Sequence, residues 1–341
     1  MSDYKVIKLR SDSVSAWAAA NPVLQNRELA YAIDGNGMAR FKRGDGTTAW
    51  NSLPWITNVA AENPDYPNYL HNWYFANPVN QRGASSYTGP GPTIDRWKAS
   101  SNMTVERISN GIRLTTGSGA GSFSQAIEQP FRITARQVTV SVDIISAATA
   151  NFSMYFAYGE NFANTTSGVI VQEGATGIKS FTVTVPGYDA TSNNLALVIR
   201  GGTAAATIGL RAIKLELGNR STLTNDSIAE YTEQENICRR FLIPLAKDTR
   251  YRAEYIGSTT LQFLIPVTNY MRVAPTIENT SALSIRTLSA GTTGVSIASV
   301  SVLRRDPAIL ISVSTGDSAH GLNDALLYLT AATFLNAELM M

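Results

Sequence analysis

The chain has 341 residues and a formal charge of +2, and only 16% of its positions are charged, against roughly 25% in ordinary soluble domains. Serine and threonine, 31 and 34 in number, carry much of the polarity instead, and 44% apolar residues suffice for a core, which excludes intrinsic disorder. Basic and acidic residues number 7 and 5 in positions 1–60, 12 and 12 in 61–231, and 9 and 9 in 232–341; no region has the basic excess that a phosphate backbone requires, so nucleic acid is not an expected partner.

The opening MSDYKVIKLR has no apolar segment of the kind a secretory signal needs, and no apolar run reaches the roughly 18 residues of a bilayer span. Synthesis in a cytoplasm without membrane insertion is the expectation. Residues 4–10 alternate as a short strand, and Ser11 is placed to cap a short helix with Val14, Trp17 and Ala18 on one face. Asn21-Pro22 stops that helix. LAYAI (29–33) and MARFK (38–42) then read as strands joined by Asp34-Gly35-Asn36-Gly37, whose residues accept positive φ. GDGTTAWNSLPW closes a domain of residues 1–57 with a very small core, a unit marginal alone.

Residues 58–70, with two prolines and small polar residues, read as a linker. Strand signals follow at QVTVSVDII (137–145), FSMYFAY (152–158), IKSFTVTV (178–185), LALVIR (195–200) and TIGLRAIKLEL (207–217), separated by Gly, Asn, Thr and Pro clusters. That spacing predicts an antiparallel β-sandwich over 71–232. In IAEYTEQENICRRFL (228–242) acidic residues precede Arg239-Arg240, which suits a helix dipole. LQFLIPV, LSIRTL, VSIASVSVL and ILISVS then predict a C-terminal antiparallel β domain over 233–341. The fold class expected is all-β, preceded by a small N-terminal α+β domain.

Catalytic chemistry finds few footholds. His71 and His320 stand 249 positions apart, so no two-histidine metal site forms within one domain, and there is no GxSxG nucleophile signature. Cys238, the single cysteine, excludes a disulfide framework and a multi-thiolate zinc site and reads as a small buried side chain. Gly117–Gly121 is glycine-rich but lacks the Lys-Ser/Thr that a phosphate loop needs, and Gly44-Asp45-Gly46 lacks regularly spaced acidic ligands for calcium. No cofactor or metal is expected. Glycoside hydrolysis needs only two carboxylates placed by the fold, and no local pair stands out.

The aromatic residues are unevenly placed. All five tryptophans (17, 50, 55, 73, 97) lie in the first 97 residues, and the remaining 244 carry eight tyrosines. Trp17, Trp50 and Trp55 suit the small N-terminal core, and Trp73 and Trp97 the sandwich core. Flat rings stack on the C–H faces of sugars while hydroxyls and amides bond their OH groups. Tyr66, Tyr69, Tyr87, Tyr251, Tyr255 and Tyr270 are therefore the candidate carbohydrate contacts.

Trp17, Asn21-Pro22-Val23-Leu24, Glu28, Asp34 and Gly44-Asp45-Gly46-Thr47-Thr48 with Trp50, Leu53 and Pro54 resemble, in order and spacing, the small domain that opens phage tail-fibre and receptor-binding proteins, a family that includes the N-terminal domain of the phage major tropism determinant. Arg27 departs from the glycine usual there before the glutamate. Asn77-Pro78-Val79-Asn80-Gln81-Arg82-Gly83, Ile94-Asp95-Arg96-Trp97 and Lys214-Leu215-Glu216-Leu217-Gly218 resemble the opening and close of a jelly-roll module of phage fibres. Cys238-Arg239-Arg240-Phe241 and Arg272-Val273-Ala274-Pro275-Thr276 are similar to the C-terminal extension of the same proteins.

The resemblance implies a tail or baseplate partner bound through residues 1–57, a homotrimer, a location at the virion tail tip, and attachment to a host-surface glycan without catalysis, in a phage or a phage-derived tail particle. Its jelly roll resembles carbohydrate-binding modules. Arg82, Asp95, Arg96 and Trp97 read as a buried network in which carboxylate–guanidinium pairs fix the strands. A fibre-borne polysaccharide depolymerase and a structural baseplate spacer are the alternatives. With no steering charge, attachment is expected to respond little to salt.

Overall fold

The computed structural model describes residues 10–33, 39–56, 67–187, 194–225, 229–257, 259–267, 270–287, 293–305, 308–315 and 325–338. It divides into two compact units, residues 1–66 and 67–341. In the first, Arg10–Ser13 pairs parallel with Leu29–Ile33, which pairs antiparallel with Ala39–Arg43. The helix Val14–Ala20 is capped by Ser13 rather than Ser11: the Ser13 hydroxyl accepts the Ala16 N–H at 3.1 Å, and Ser11 is taken up by the strand. Asn21, left-handed at φ 39°, ends the helix. The Asp34–Gly37 turn lies outside the described residues.

Three tryptophans build this unit's core. Trp17 stacks on Trp50 at 5.9 Å, and Trp55 meets Trp50 edge-on at 5.2 Å. Lys42 is buried beside them, its ammonium 4.0 Å from the Trp50 ring centroid and donating to the Trp50 carbonyl at 2.6 Å. Burial lowers its pKa, and the ring and the carbonyl supply the attraction that offsets lost hydration. Asp45 accepts the Thr47 and Thr48 N–H groups and the Thr48 hydroxyl, so the Gly-Asp-Gly-Thr-Thr motif is a self-bonded turn. Gly44 is required there, since a Cβ would meet the Gln25 carbonyl at 2.2 Å.

The second unit begins with the β-sandwich, all of whose strand pairs are antiparallel. One sheet runs Gly177–Thr184, Gln137–Ser146, Ala206–Leu217, Gly111–Thr116, Met103–Ile108, Ser86–Thr88. The other runs Asn164–Thr165, Phe152–Tyr158, Leu195–Gly201, Ser122–Ala126, Lys98–Ala99, Gly91–Pro92, with Val169–Val171 also on Phe152–Tyr158. Alternation sets the faces: Val138, Val140, Val142 and Ile144 turn inward from one sheet, and Phe152, Met154 and Phe156 from the other. Trp97 stacks on Phe123 at 4.5 Å, and Phe75 meets both rings edge-on. Residues 67–70, at the end of the expected linker, already belong to this unit: the Tyr69 N–H donates to the Leu215 carbonyl at 2.9 Å and Asn68 Nδ2 to that of Ile213.

The same alternation explains Lys214–Gly218. Leu215 packs in the core, while Glu216 lies fully buried on the opposite face. There the chain folds back after Gly218 (φ 92°), and Thr222 gives Glu216 its N–H at 2.8 Å and its hydroxyl at 2.5 Å.

After the helix Tyr231–Cys238, whose Cys238 is buried, the C-terminal part forms two further sheets. Leu242–Leu245, Thr333–Asn336 and Thr276–Ile277 make a three-stranded one; Thr293–Val295, Leu283–Thr287, Ala325–Leu329, Arg250–Gly257, Thr260–Pro266, Ala308–Thr315 and Ile297–Arg305 make the larger one, in that order. Phe263, Ile285, Ile311, Leu327 and Leu335 are fully buried between them.

Candidate functional site

Of the six tyrosines expected to contact sugar, the side chains of four are described, and they lie in different parts of the second unit. Tyr66 lies outside the described residues. Tyr69 and Tyr87 are half-buried against the sandwich core, and the Tyr87 hydroxyl donates to Asn80 Oδ1 while accepting the Ala84 N–H at 3.1 Å. Tyr251, opposite Leu327, packs on the C-terminal core, and burial raises its pKa. Tyr255 pairs through its backbone with Leu261, and its side chain is outside the described residues. Tyr270 is 60% exposed. Among the described residues no ring contact joins any two of the six.

Arg82, Asp95, Arg96 and Trp97 are placed close together, with different partners from those expected. Asp95 accepts the backbone N–H of Gln81 at 2.8 Å and its Nε2 at 2.5 Å; burial raises its pKa and these bonds oppose the rise. The carboxylates of Arg82 come from the C-terminal part: Glu278 at 2.6 Å and Glu338 at 3.5 Å. Arg96 donates to the Ala126 carbonyl at 3.0 Å and lies 3.6 Å over the Phe241 ring, while Glu338 accepts its backbone N–H at 3.2 Å. Arg240 grips Glu128 with both terminal nitrogens, at 2.6 and 3.1 Å. Trp97 stays in the sandwich core, its indole N–H on the Asn72 carbonyl. These arginines therefore fasten the sandwich to the C-terminal sheets, a pairing that local sequence cannot show because the carboxylate partners lie more than a hundred positions away.

His71 is part of this seam. Its Nδ1 is 3.4 Å from Arg96 Nε, and its ring lies 5.7 Å from that of Phe241. Burial, then the positive charges of Arg96 and Arg240, push its pKa down to about 3, so it is neutral at pH 7 despite Glu128 at 3.9 Å. Burial likewise pushes the Cys238 thiol up, which suits an inert side chain. Among the described residues no cluster of His, Cys, Asp and Glu could hold a metal ion, and no helix is long and apolar enough to cross a membrane.

A surface of different character lies on the outward face of the sandwich sheet that contains Phe152–Tyr158. Register places Lys98, Ser124, Val198 and Tyr155 in one row across four strands, and Ser122, Arg200, Ser153 and Ile170 in the next. Tyr155 and Arg200 are diagonal neighbours on adjacent strands, within mutual reach of long side chains. Val198 and Ser124 are buried beneath their neighbours, Tyr155 is partly buried, and Arg200 is exposed. Neither Tyr155 nor Arg200 makes a side-chain hydrogen bond or ion pair among the described residues. A flat ring, a five-donor guanidinium and the Ser122 and Ser153 hydroxyls can stack on one face of a ring-shaped polar ligand and bond its edge. Cross-strand register, unseen in one dimension, assembles this strip. The alternation of FSMYFAY, which turns Phe152, Met154 and Phe156 inward and hence Tyr155 outward, was the available signal.

No family model matches the chain, and no curated protein matches it. Solved structures similar to part of it include TmCBM61 in complex with β-1,4-galactotriose, at 15% identity and TM-score 0.27 over 45% of this chain and 99% of that one. The CBM22-1 xylan-binding domain of Paenibacillus barcinonensis Xyn10C aligns at 13% identity and TM-score 0.29, over 46% and 97%. The xylan-binding module CBM15 aligns at 13% and 0.28, over 41% and 100%.

Proposed function

We propose that this chain is a non-catalytic glycan-binding attachment protein, and that the strip carrying Tyr155 and Arg200 is its sugar-contacting surface. The observation that carries the reading is an exposed guanidinium beside a partly exposed ring, neither hydrogen-bonded nor ion-paired through its side chain among the described residues. Together with the phage-fibre motifs of residues 17–54 and 77–97, this supports a receptor-binding role at a virion tail tip. In that role residues 1–57 join the tail or baseplate, and a homotrimer brings three weak sugar sites together so that modest single-site binding becomes avidity. Host-surface glycan is the partner.

The test is a glycan array probed with the full chain and with the Tyr155→Ala and Arg200→Ala variants, alongside a reducing-end assay on the bound glycans. The expected outcome is retention on a defined glycan set, weakened about tenfold or more by either substitution at unchanged melting temperature, with no new reducing ends. Retention untouched by both substitutions overturns the assignment of the strip, and release of new reducing ends overturns the non-catalytic reading.

A further inference from the structure

A second candidate site lies at the opposite kind of surface, the open edge between the two sandwich sheets. The Val169–Val171 strand borders one sheet and the Gly177–Thr184 strand the other, and residues 172–176 cross between them. A cavity of about 430 Å³ opens there, within the size range of small-molecule sites. Its floor is apolar: Met154 and Val171 are buried and belong to the sandwich core, with Val169 packed against it.

The cavity exists because the core-facing pattern of one strand is broken. Register puts Val183, Phe181 and Lys179 opposite Val138, Val140 and Val142, so all three face the interior side of their sheet. Phe181 and Val183 pack on the core, and Lys179 does not: it is exposed, and the space that an apolar side chain would fill is left open. Gln172, Glu173 and Ser180 complete the rim. Among the described residues, the side chains of Gln172, Glu173, Lys179 and Ser180 make no hydrogen bond or ion pair within the chain. The crossing segment is nevertheless fixed, because the Glu173 N–H donates to Asn151 Oδ1 at 2.9 Å and the Gly174 N–H to the Ala148 carbonyl at 2.8 Å. The walls are therefore built before any ligand arrives, which lowers the ordering cost of binding.

We infer that this edge cavity is a distinct binding site for a neutral saccharide unit. One carboxylate and one ammonium on the same rim cancel, which favours neither an anionic nor a cationic ligand. An uncharged ring with apolar C–H faces and hydroxyl edges uses both surfaces: its face lies on Met154 and Val171, Glu173 accepts from its hydroxyls, and Lys179 donates to their oxygens. With no aromatic side chain in the lining the affinity is in the millimolar range, suited to repeated units of a surface polymer. This site is separate from the Tyr155 strip and stands or falls without it.

The experiment is saturation-transfer NMR on the full chain, with methyl β-D-galactopyranoside and methyl β-D-glucopyranoside as neutral probes at concentrations on the order of 10 mM. Glucuronate and glucosamine are the charged counterparts. Transfer to at least one neutral glycoside is expected to persist in Tyr155→Ala, where the strip no longer contributes, and to weaken about tenfold when Lys179→Leu or Glu173→Ala is added to that variant. Lys179→Leu fills the cavity with the side chain that the strand pattern calls for, so the melting temperature should hold or rise, which separates lost binding from lost folding. The inference is overturned by equal transfer when Lys179→Leu is added to Tyr155→Ala, by transfer to a charged sugar alone, by transfer abolished in Tyr155→Ala but not in Lys179→Leu, or by no transfer from any probe.

Discussion

Arg82 reaches Glu278 across 196 positions of sequence, Nη2 to Oε1 at 2.6 Å, with Glu338 Oε2 3.5 Å from the same nitrogen. Arg82 lies at the start of the sandwich, Glu278 just after the strand Thr276–Ile277 and Glu338 just after the strand Thr333–Asn336, so one side chain joins the two halves of the second unit. The Glu338 side chain is only 3% exposed, and a carboxylate in that setting depends on a neighbouring cation.

Arg82→Ala should therefore destabilise the second unit by about 3 kcal/mol, because it leaves Glu338 buried without that partner. Urea unfolding followed by tryptophan fluorescence checks the value, and Arg82→Lys should recover part of it by restoring charge without the guanidinium fork. A midpoint unchanged in Arg82→Ala, with glycan binding lost, would instead give Arg82 a ligand-contacting role.

The seam should also make the protein sensitive to mild acid. His71 ionises near 6.5 in an unfolded chain and at about 3 when folded, so below pH 6.5 the unfolded state binds more protons. The stabilisation is complete above pH 6.5 and is lost progressively as pH falls toward 3, a few kcal/mol over that window. Asp95, whose pKa burial raises, acts in the opposite sense only once carboxylates begin to titrate. Melting temperatures between pH 7 and 5 should fall in the wild type and fall less in His71→Gln; parallel curves would show that His71 is not the group responsible.

The strands at 137–158 and 177–217 were legible because one of their faces is a continuous core and alternation reports it directly. Trp17, Trp50 and Trp97 were legible as core because large apolar rings in small apolar neighbourhoods have no better place to go. Arg82, Arg96 and His71 were not, since their partners Glu278, Glu338, Phe241 and Arg240 come from distant strands and loops that only the fold brings near. Tyr155 and Lys179 are an intermediate case: alternation shows which way each faces, but only the pairing register shows that one stands beside Arg200 and the other leaves a gap in the core.

Glu216 supplies a local counterpart to the seam. It is fully buried on the outer face of its sheet, and Thr222 satisfies it with both an N–H and a hydroxyl. Thr222→Val keeps the shape, leaves the N–H, and removes the hydroxyl from a buried carboxylate, so a loss of about 2 kcal/mol is expected from chemical denaturation. Thr222→Ser keeps the hydroxyl and should cost well under half of that. A larger loss in Thr222→Ser than in Thr222→Val would mean that the methyl group, not the hydrogen bond, holds the segment down.

Arg27 tests the departure from the phage-fibre pattern. It adopts φ 72°, in the left-handed region, where the resemblance has glycine. The turn survives the change: the Arg27 N–H donates to the Gly44 carbonyl at 2.8 Å, the Glu28 N–H to that of Gln25 at 3.0 Å, and Glu28 accepts the Gln25 N–H at 2.7 Å. A side chain in this conformation costs of order 1 kcal/mol, whereas glycine adopts it freely at some cost in unfolded-state entropy. Arg27→Gly should accordingly stabilise the N-terminal unit by up to about 1 kcal/mol, and Gly44→Ala, which drives a Cβ to 2.2 Å from the Gln25 carbonyl, should destabilise the same turn. Differential scanning calorimetry of the full chain resolves both. A lower transition in Arg27→Gly would mean that the arginine side chain makes a contribution exceeding its backbone strain.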